Sequence, residues 1–243
     1  MKTALILSGQ IRGARDCYAN TKKNLIDQYD ADVFISTWTP TSNVTAALGN
    51  TYTNDISMDE MFDMYKPKAC IIEEFDTLPM LRKLRLNIDV YNNKTAYDGT
   101  WVEETNIENV FLQNFRRAQG FELLHNYSND NGVCYERVIL SRFDLDIHTF
   151  PIIEPENNEI WIPTGPNADS PEYHYGGIRD LMAIGGQNEM SYYCDLYNHL
   201  NFYVRQCEFG LHPESIIRRH LERYGFKIKR FPMESSLRGN PVL

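Results

Sequence analysis

The sequence predicts a single α/β domain with a mostly parallel central sheet and helices on both faces. Two observations support this fold class. Short apolar runs alternate along the chain with segments of helical spacing, an order that is typical of parallel sheets. The first run, residues 3–7, is apolar on both faces, as a strand buried on both sides should be. A chain of 243 residues is an ordinary size for one such domain.

The first half of the chain alternates strands and helices. Residues 3–7 and 32–38 are strand-like, and helical spacing from about Ala14 to Tyr29 completes a βαβ unit. Residues 39–57 are polar and rich in Thr and Asn, so we expect a surface loop. Three further elements are predicted here: a helix over 58–65, a strand over 69–73 and a helix of about twenty residues from Ile107 to a turn cluster at 126–132.

The second half contains a buried strand followed directly by a polar motif. Residues 136–141 form the strand, and residues 142–146 have the sequence Arg-Phe-Asp-Leu-Asp. Pro213 is expected in the first turn of a late helix, where its missing N–H group is not needed. The other elements predicted here are strands over 160–162, 181–184 and 226–231 and helices over 189–204 and 213–224.

Composition and charge exclude several classes of protein. Hydrophobic residues make up 42% of the chain, enough for a packed core and too much for a disordered chain. There are 24 basic and 33 acidic side chains, so the net charge is −9 and nucleic acid is not an expected partner. The apolar run Ala4–Leu7 is too short for a signal-peptide core, and no later run approaches a membrane span. We expect a cytoplasmic protein.

The many Asn and Tyr residues indicate an AT-rich coding source, such as a virus or phage. If the source is viral, we expect the protein in the host cytoplasm.

The strongest functional signal is Asp144-Leu145-Asp146, directly after the buried strand. Side chains alternate along an extended chain, so both carboxylates are expected on the same side. Two close carboxylates repel unless a cation neutralises them, and oxygen ligands favour Mg²⁺ or Mn²⁺. Such an ion can bind a diphosphate and stabilise it as a leaving group. A solvated structural turn is the alternative interpretation.

The loop after the first strand is a second candidate site. Backbone N–H groups from Gly9 to Gly13 precede a helix and favour an anion, and Arg12 or Arg15 adds positive charge. The glycine pattern of dinucleotide-binding folds is absent, which argues against NAD. An ordinary strand-to-helix turn with solvated arginines is the alternative.

A strand, paired carboxylates and a preceding βαβ unit together resemble a glycosyltransferase of the GT-A fold. Residues 8–12, Ser-Gly-Gln-Ile-Arg, are similar to the Ser-Gly-Gln-x-Arg opening of bacterial and viral glycosyltransferase-like proteins. Residues 31–38, the helix that contains Gln113 and the Arg-x-Asp-Leu pattern at 142–145 are similar as well. The resemblance covers most of the chain and implies a Rossmann-like α/β/α sandwich of the GT-A type.

The resemblance implies a metal-dependent enzyme that moves a sugar from a nucleotide-diphosphate donor, a UDP- or GDP-sugar, to a hydroxyl of a glycan, a lipid-linked sugar or a protein. It assigns the nucleotide sugar to residues 1–146 and the acceptor to residues 147–243. Asp144, Asp146 and His212 are the expected ligands of Mn²⁺ or Mg²⁺. The residues expected at the donor are Ser8, Gly9, Gln10, Arg12, Thr37, Trp38, Gln113, Arg117, Arg142 and Asp144.

Candidates for the acceptor side lie in the second half. Asp180 precedes the strand at 181–184 and resembles the acidic position that faces the acceptor in GT-A enzymes. There a carboxylate accepts the proton of the acceptor hydroxyl if transfer inverts the anomeric configuration, and contacts acceptor or sugar if transfer retains it. Tyr173 and Tyr175, beside a glycine pair, are expected to stack on a sugar, and Glu214 begins a helix nearby. A capping role is the alternative for Asp180.

Two other functions stay open. A sugar nucleotidyltransferase of related fold usually has a glycine-rich loop with Arg or Lys after its first strand, which this chain lacks. A catalytically inactive protein that binds a nucleotide sugar or glycan is the second, although it has no reason to keep paired carboxylates. Phosphatases of the haloacid dehalogenase type place their acidic pair on the first strand, whereas this pair lies past the midpoint of the chain.

Overall fold

A seven-stranded sheet forms the centre of the computed structural model, which describes residues 1–39, 44–45, 51–52, 56–74, 107–164, 177–206 and 213–238. The strands are β1 (Thr3–Gly9), β2 (Asp32–Trp38), β3 (Val44–Thr45), β4 (Thr51–Tyr52), β5 (Ala69–Glu73), β6 (Arg137–Ser141), β7 (Leu145–Thr149), β8 (Glu159–Pro163), β9 (Met182–Gly185), β10 (Lys227–Phe231) and β11 (Glu234–Leu237). The helices are α1 (Ala14–Thr21), which continues as a π-helical segment (Lys22–Asp27), α2 (Met58–Tyr65), α3 (Ile107–Asn131), α4 (Gln187–Cys194), α5 (Leu196–Gln206) and α6 (Pro213–Arg223).

The strand order of the main sheet is β10-β8-β9-β6-β1-β2-β5. Strand β9 runs antiparallel to β6 and β8, and the other neighbours are parallel, so the predicted mostly parallel sheet is confirmed. From β1 the chain builds outward through β2 and β5, and then crosses to the other side of β1 as β6. The carboxyl ends of β1 and β6 therefore border the crevice at which open α/β sheets bind ligands.

Helices cover both faces of this sheet, as predicted. On one face Ala4, Ile6 and Phe34 belong to the core that α3, α4, α5 and α6 cover. On the other face Leu5 and Leu7 belong to the core beneath α1 and α2. All five side chains are fully buried, and each large one stabilises the fold by about 1.5–3 kcal/mol. The alternation along β1 follows from its pleat, because neighbouring side chains point to opposite faces.

Gly120 allows α3 to lie close to the sheet. A Cβ atom at this position would lie 2.7 Å from Cγ2 of Ile6, which is shorter than a nonbonded carbon contact. The C-terminal end of α3 leads into the amino end of β6, so its N-terminal half lies toward the carboxyl ends of the strands. That half contains Gln113 and Arg117.

Two helical regions differ from the sequence prediction. Helix α3 continues to Asn131, through the predicted turn cluster, and the Asn131 amide donates a hydrogen bond to the carbonyl of Tyr127. The single helix predicted over 189–204 is instead two helices that meet at Asp195, whose carboxylate accepts a hydrogen bond from Asn198 and fixes the start of α5. Among the helices that the structure describes, none combines the length and apolar character needed to cross a membrane.

The acidic motif follows a different path from the predicted one. The main-sheet strand β6 ends at Ser141, a turn contains Asp144, and Asp146 belongs to β7, which pairs antiparallel with β11 in a separate two-stranded sheet. We did not predict β11 or this second sheet. The expected surface loop at 39–57 also contains the small β3–β4 hairpin.

Candidate functional site

Polar side chains from four parts of the chain gather at the carboxyl edge of the main sheet. Arg12 follows β1, and Arg142 and Asp144 follow β6. Because β9 is antiparallel to β6, Asp180 at its entrance lies at the same edge. Helix α6 joins them, since the carbonyl of Glu214 accepts a hydrogen bond from the N–H group of Ile178, two residues before Asp180.

Two arginines hold the Asp144 carboxylate. Nε and Nη2 of Arg142 donate to its two oxygens at 2.8 and 2.7 Å, and Nε of Arg12 donates to Oδ2 at 2.8 Å. Burial alone would raise the pKa of Asp144, but the guanidinium groups of Arg142 and Arg12 outweigh it and hold that pKa below its ordinary value. Asp144 is therefore a buried, ionised anchor with 4% of its side chain exposed.

Asp146 is held by a second set of donors. Its Oδ1 accepts from Nδ2 of Asn20 at 2.6 Å, and its Oδ2 accepts from Nε and Nη2 of Arg238 at 3.0 and 2.6 Å. These hydrogen bonds overcome the effect of burial and lower the pKa of Asp146. Cys17 lies beside both carboxylates, and burial together with their charges raises its pKa to about 12. The thiol is therefore protonated at neutral pH.

The described arrangement does not fit a divalent cation. All four carboxylate oxygens of Asp144 and Asp146 already accept hydrogen bonds from arginine or asparagine donors. Mg²⁺ and Mn²⁺ need such oxygens as ligands, and a guanidinium competes for them. No group of three His, Cys, Asp or Glu side chains within the described ranges has the arrangement of a metal site. The metal-binding roles of Asp144 and Asp146 stay predictions, and His212 lies outside the described residues.

The structure brings Gln113 and Arg117 to Asp180. Nε2 of Gln113 donates to Oδ2 of Asp180 at 2.9 Å, and Nη2 of Arg117 donates to its backbone carbonyl and lies 3.6 Å from Oδ2. Arg117 itself is almost fully buried beside the ring of Tyr193. We did not predict this association. The contact of Gln113 and Arg117 with a donor and the role of Asp180 as a base stay predictions.

Glu214 is a carboxyl group at this edge whose pKa is raised. Burial, together with the negative charge of Asp180, raises the pKa of Glu214 to about 7. The nearby guanidinium of Arg179 lowers it only in part. The sequence suggested Glu214 as an acceptor-side residue, but its proximity to Asp180 and its raised pKa depend on the packing of α6 against the segment before β9.

The ends of β1 and β2 are joined at the same edge. The hydroxyl of Thr37 donates to the carbonyl of Gly9 at 2.6 Å, and Gly9 has a φ of 106°, which favours glycine. Ser8 is buried, and Gln10 follows in the loop. The nucleotide contacts predicted for these residues stay predictions.

Trp38 has a neighbour that we did not predict. The guanidinium carbon of Arg116 lies 3.3 Å from the centre of the Trp38 ring, and Nη2 of Arg116 lies 3.0 Å from a carboxylate oxygen of Glu73. The ring is thus in a cation–π contact with Arg116 and in a stacked arrangement with Phe115 at 6.3 Å between ring centres, and only 5% of Trp38 is exposed. The contact of Trp38 with a donor stays a prediction.

Two of the predicted acceptor-side residues are not described by the structure, and three residues that contact the site or Trp38 were not predicted. Tyr173 and Tyr175 lie outside the described residues. Asn20, Arg116 and Arg238 were not predicted, because none belongs to a motif and each reaches its partner only through tertiary packing. A polar residue on an apolar helix face is the one sequence signal that points to Arg116.

Comparisons with known proteins reveal similarity in fold. No protein-family model matches the sequence, and no curated protein matches it. The galactosyltransferase LgtC, solved in complex with donor and acceptor sugar analogues, is similar with a TM-score of 0.51 and 8% identity over 94% of this chain and 72% of that chain. An active-site mutant of LgtC is similar to the same extent. The seven-stranded, mostly parallel sheet with helices on both faces is thus a GT-A-like single domain, as predicted.

Proposed function

We propose that this chain is a glycosyltransferase that moves a sugar from a nucleotide-diphosphate donor to the hydroxyl of an acceptor. The similarity to LgtC supports glycosyl transfer in general. The observation that supports the donor class is the set of guanidinium groups at the crevice between β1 and β6, where Arg12 and Arg142 converge on Asp144. Guanidinium groups at this position are suited to bind the phosphates of a nucleotide through charged hydrogen bonds.

Glycosyl transfer requires that the negative charge on the leaving group is stabilised and that the proton of the acceptor is removed. The acceptor oxygen forms a bond to the anomeric carbon, and the bond from that carbon to the diphosphate breaks, so the leaving group gains negative charge. Preorganised guanidinium groups stabilise that charge without reorganising. The acceptor hydroxyl loses its proton, and we propose Asp180 or Glu214 as the group that accepts it in an inverting reaction. Arg142 links the leaving-group side of the site to the side that accepts the proton, because the negative charges of Asp144 and Asp180 both raise its pKa.

The proposal requires selective binding of one class of nucleotide diphosphate. We expect the purified protein to gain several degrees of thermal stability with UDP, GDP or dTDP, and less with CMP, because ligand that binds only the folded state shifts unfolding. A donor sugar mixed with candidate acceptor glycans should then release the nucleotide diphosphate. If no nucleotide stabilises the protein, the proposal fails.

A variant pair tests the acceptor side. We expect Asp180→Asn to lower turnover at least about tenfold while nucleotide binding persists, because the amide cannot accept the proton of the acceptor hydroxyl but can still bond Gln113. Asp63→Asn, an exposed residue of α2, is the matched control and should leave turnover unchanged. Nucleotide binding without any transfer, across a broad acceptor panel, would instead favour an inactive binding protein.

A further inference from the structure

We propose that Arg12, Arg142 and Arg238 bind the donor diphosphate directly, so that donor binding needs no divalent cation. This inference rests on the proposed function and departs from the metal site that the sequence predicts. It is based on the relative exposure of the charged side chains around Asp144 and Asp146, where the guanidinium groups lie nearer to solvent than the carboxylates.

The carboxylates lie beneath the guanidinium groups. Asp144 and Asp146 expose 4% and 2% of their side chains, whereas Arg142 exposes 23% and Arg238 exposes 50%. A ligand that approaches from solvent therefore meets guanidinium groups before it meets a carboxylate. A cation would have to displace at least one arginine to reach an oxygen.

Arg142 and Arg238 keep N–H groups for a ligand after they pair with Asp144 and Asp146. Within the described part of the chain, Arg142 and Arg238 each use Nε and Nη2 on their carboxylates, which leaves Nη1 of each for a ligand. A guanidinium has five N–H donors, and its planar fork matches phosphate as well as carboxylate. The carboxylates thus act as buried supports that hold the arginines in place.

The arrangement of the charges, and not their sum, favours an anion. Arg12, Arg142 and Arg238 contribute three positive charges, and Asp144 and Asp146 contribute two negative charges. Asp16 adds a third negative charge that acts on Arg238, and Arg117 and Asp180 add one charge of each sign. A diphosphate would therefore be recognised by the solvent-facing layer of guanidinium groups, in a chain of net charge −9.

The two models of the motif predict opposite effects for Asp146→Asn. If Asp146 is a metal ligand, its loss weakens nucleotide binding. If Asp146 only positions Arg238, the side-chain oxygen of Asn still accepts from that guanidinium while the negative charge is lost, so binding of an anion is retained or becomes tighter. Arg238→Gln is expected to weaken binding about tenfold, because hydrogen bonds to charged groups are the stronger ones. Arg219→Gln, an exposed arginine of α6, is the matched control and should change nothing.

The experiment measures binding of UDP, GDP and inorganic pyrophosphate by calorimetry, in excess EDTA and in Mn²⁺, for wild type and the three variants. We expect the same affinity in EDTA and Mn²⁺, a loss with Arg238→Gln and none with Asp146→Asn. Binding that requires Mn²⁺ overturns the inference and leaves the proposed function intact. If nothing binds under either condition, the proposed function fails and the inference fails with it. The comparison of EDTA with Mn²⁺ uses wild type, so it holds even if a variant does not fold.

Discussion

Arg238 and Asp146 form an ion pair that attaches the final described strand to the acidic motif. Nε and Nη2 of Arg238 donate to Oδ2 of Asp146 at 3.0 and 2.6 Å, across 92 residues of sequence. The backbone N–H group of Arg238 also donates to the carbonyl of Asp144 at 2.9 Å. Strand β11 therefore covers the motif, and its pairing with β7 contributes to the geometry of the site as well as to stability.

We expect Arg238→Gln to lower the free energy of unfolding by about 1 kcal/mol at neutral pH. The effect is small because the Arg238 side chain is half exposed and because Asn20 still donates a hydrogen bond to Asp146. The lowered pKa of Asp146 means that the pair stabilises the fold above the ordinary value of 3.8 and that this stabilisation is lost as the pH falls through the folded-state pKa. Urea unfolding at about pH 7 and about pH 3 should therefore show a smaller difference between wild type and variant at the lower pH. An equal difference at both values would contradict the ion-pair account.

Replacing Glu73 and replacing Arg116 should lower the stability of the protein by different amounts. Arg116 is fully buried against Trp38, and burial lowers its pKa to about 10, so it stays charged at neutral pH. We expect Glu73→Gln to destabilise the protein by about 1–3 kcal/mol, because the buried guanidinium loses its counter-charge. Arg116→Met removes the charge but keeps most of the volume, so it should cost less. Chemical denaturation of both variants tests this order, and the reverse order would assign the stabilisation to the contact with Trp38.

His220 makes stability depend on pH in the acidic range. Its Nε2 donates to the carbonyl of Tyr192 at 2.7 Å, and its Nδ1 lies 3.0 Å from the hydroxyl of Tyr203, which donates to it when the ring is neutral. Burial lowers its pKa from 6.5 to about 4. Its contribution is therefore present above pH 6.5 and is lost as the pH falls toward 4. His220→Gln should flatten this dependence in urea titrations, whereas exposed His148→Gln should not.

Glu214 makes stability depend on pH in the opposite direction to His220. Its pKa is raised from 4.5 to about 7, so its contribution to stability is complete below pH 4.5 and is lost as the pH rises through 7. Glu214→Gln should therefore unfold at higher temperature than wild type at about pH 8 and at a similar temperature at about pH 4. Thermal unfolding across this range is the measurement, with the exposed Glu222→Gln of α6 as control. A constant offset between Glu214→Gln and wild type would show that the carboxyl does not titrate in this window.

Local patterns were sufficient for most of the main sheet. Residues 3–7, 32–38 and 69–73 were predicted as strands because strands buried in a parallel sheet concentrate apolar residues. The same criterion did not reveal β11, which contains two serines and pairs with β7 across about 90 residues of sequence. It also did not locate the helix break at Asp195, because helical spacing continues across it.

Residue type and order alone thus determined the α/β fold class and most strands of the main sheet, and they identified Asp144, Asp146 and Asp180 as candidate site residues. These features depend on side-chain periodicity and on charge, which are visible along the chain. Only the tertiary structure decided that Arg12 and Arg238 neutralise the two motif carboxylates, from 132 and 92 residues away. The effect of a buried carboxylate depends on which cation packs against it, and that neighbour is set by the folded chain and not by sequence spacing.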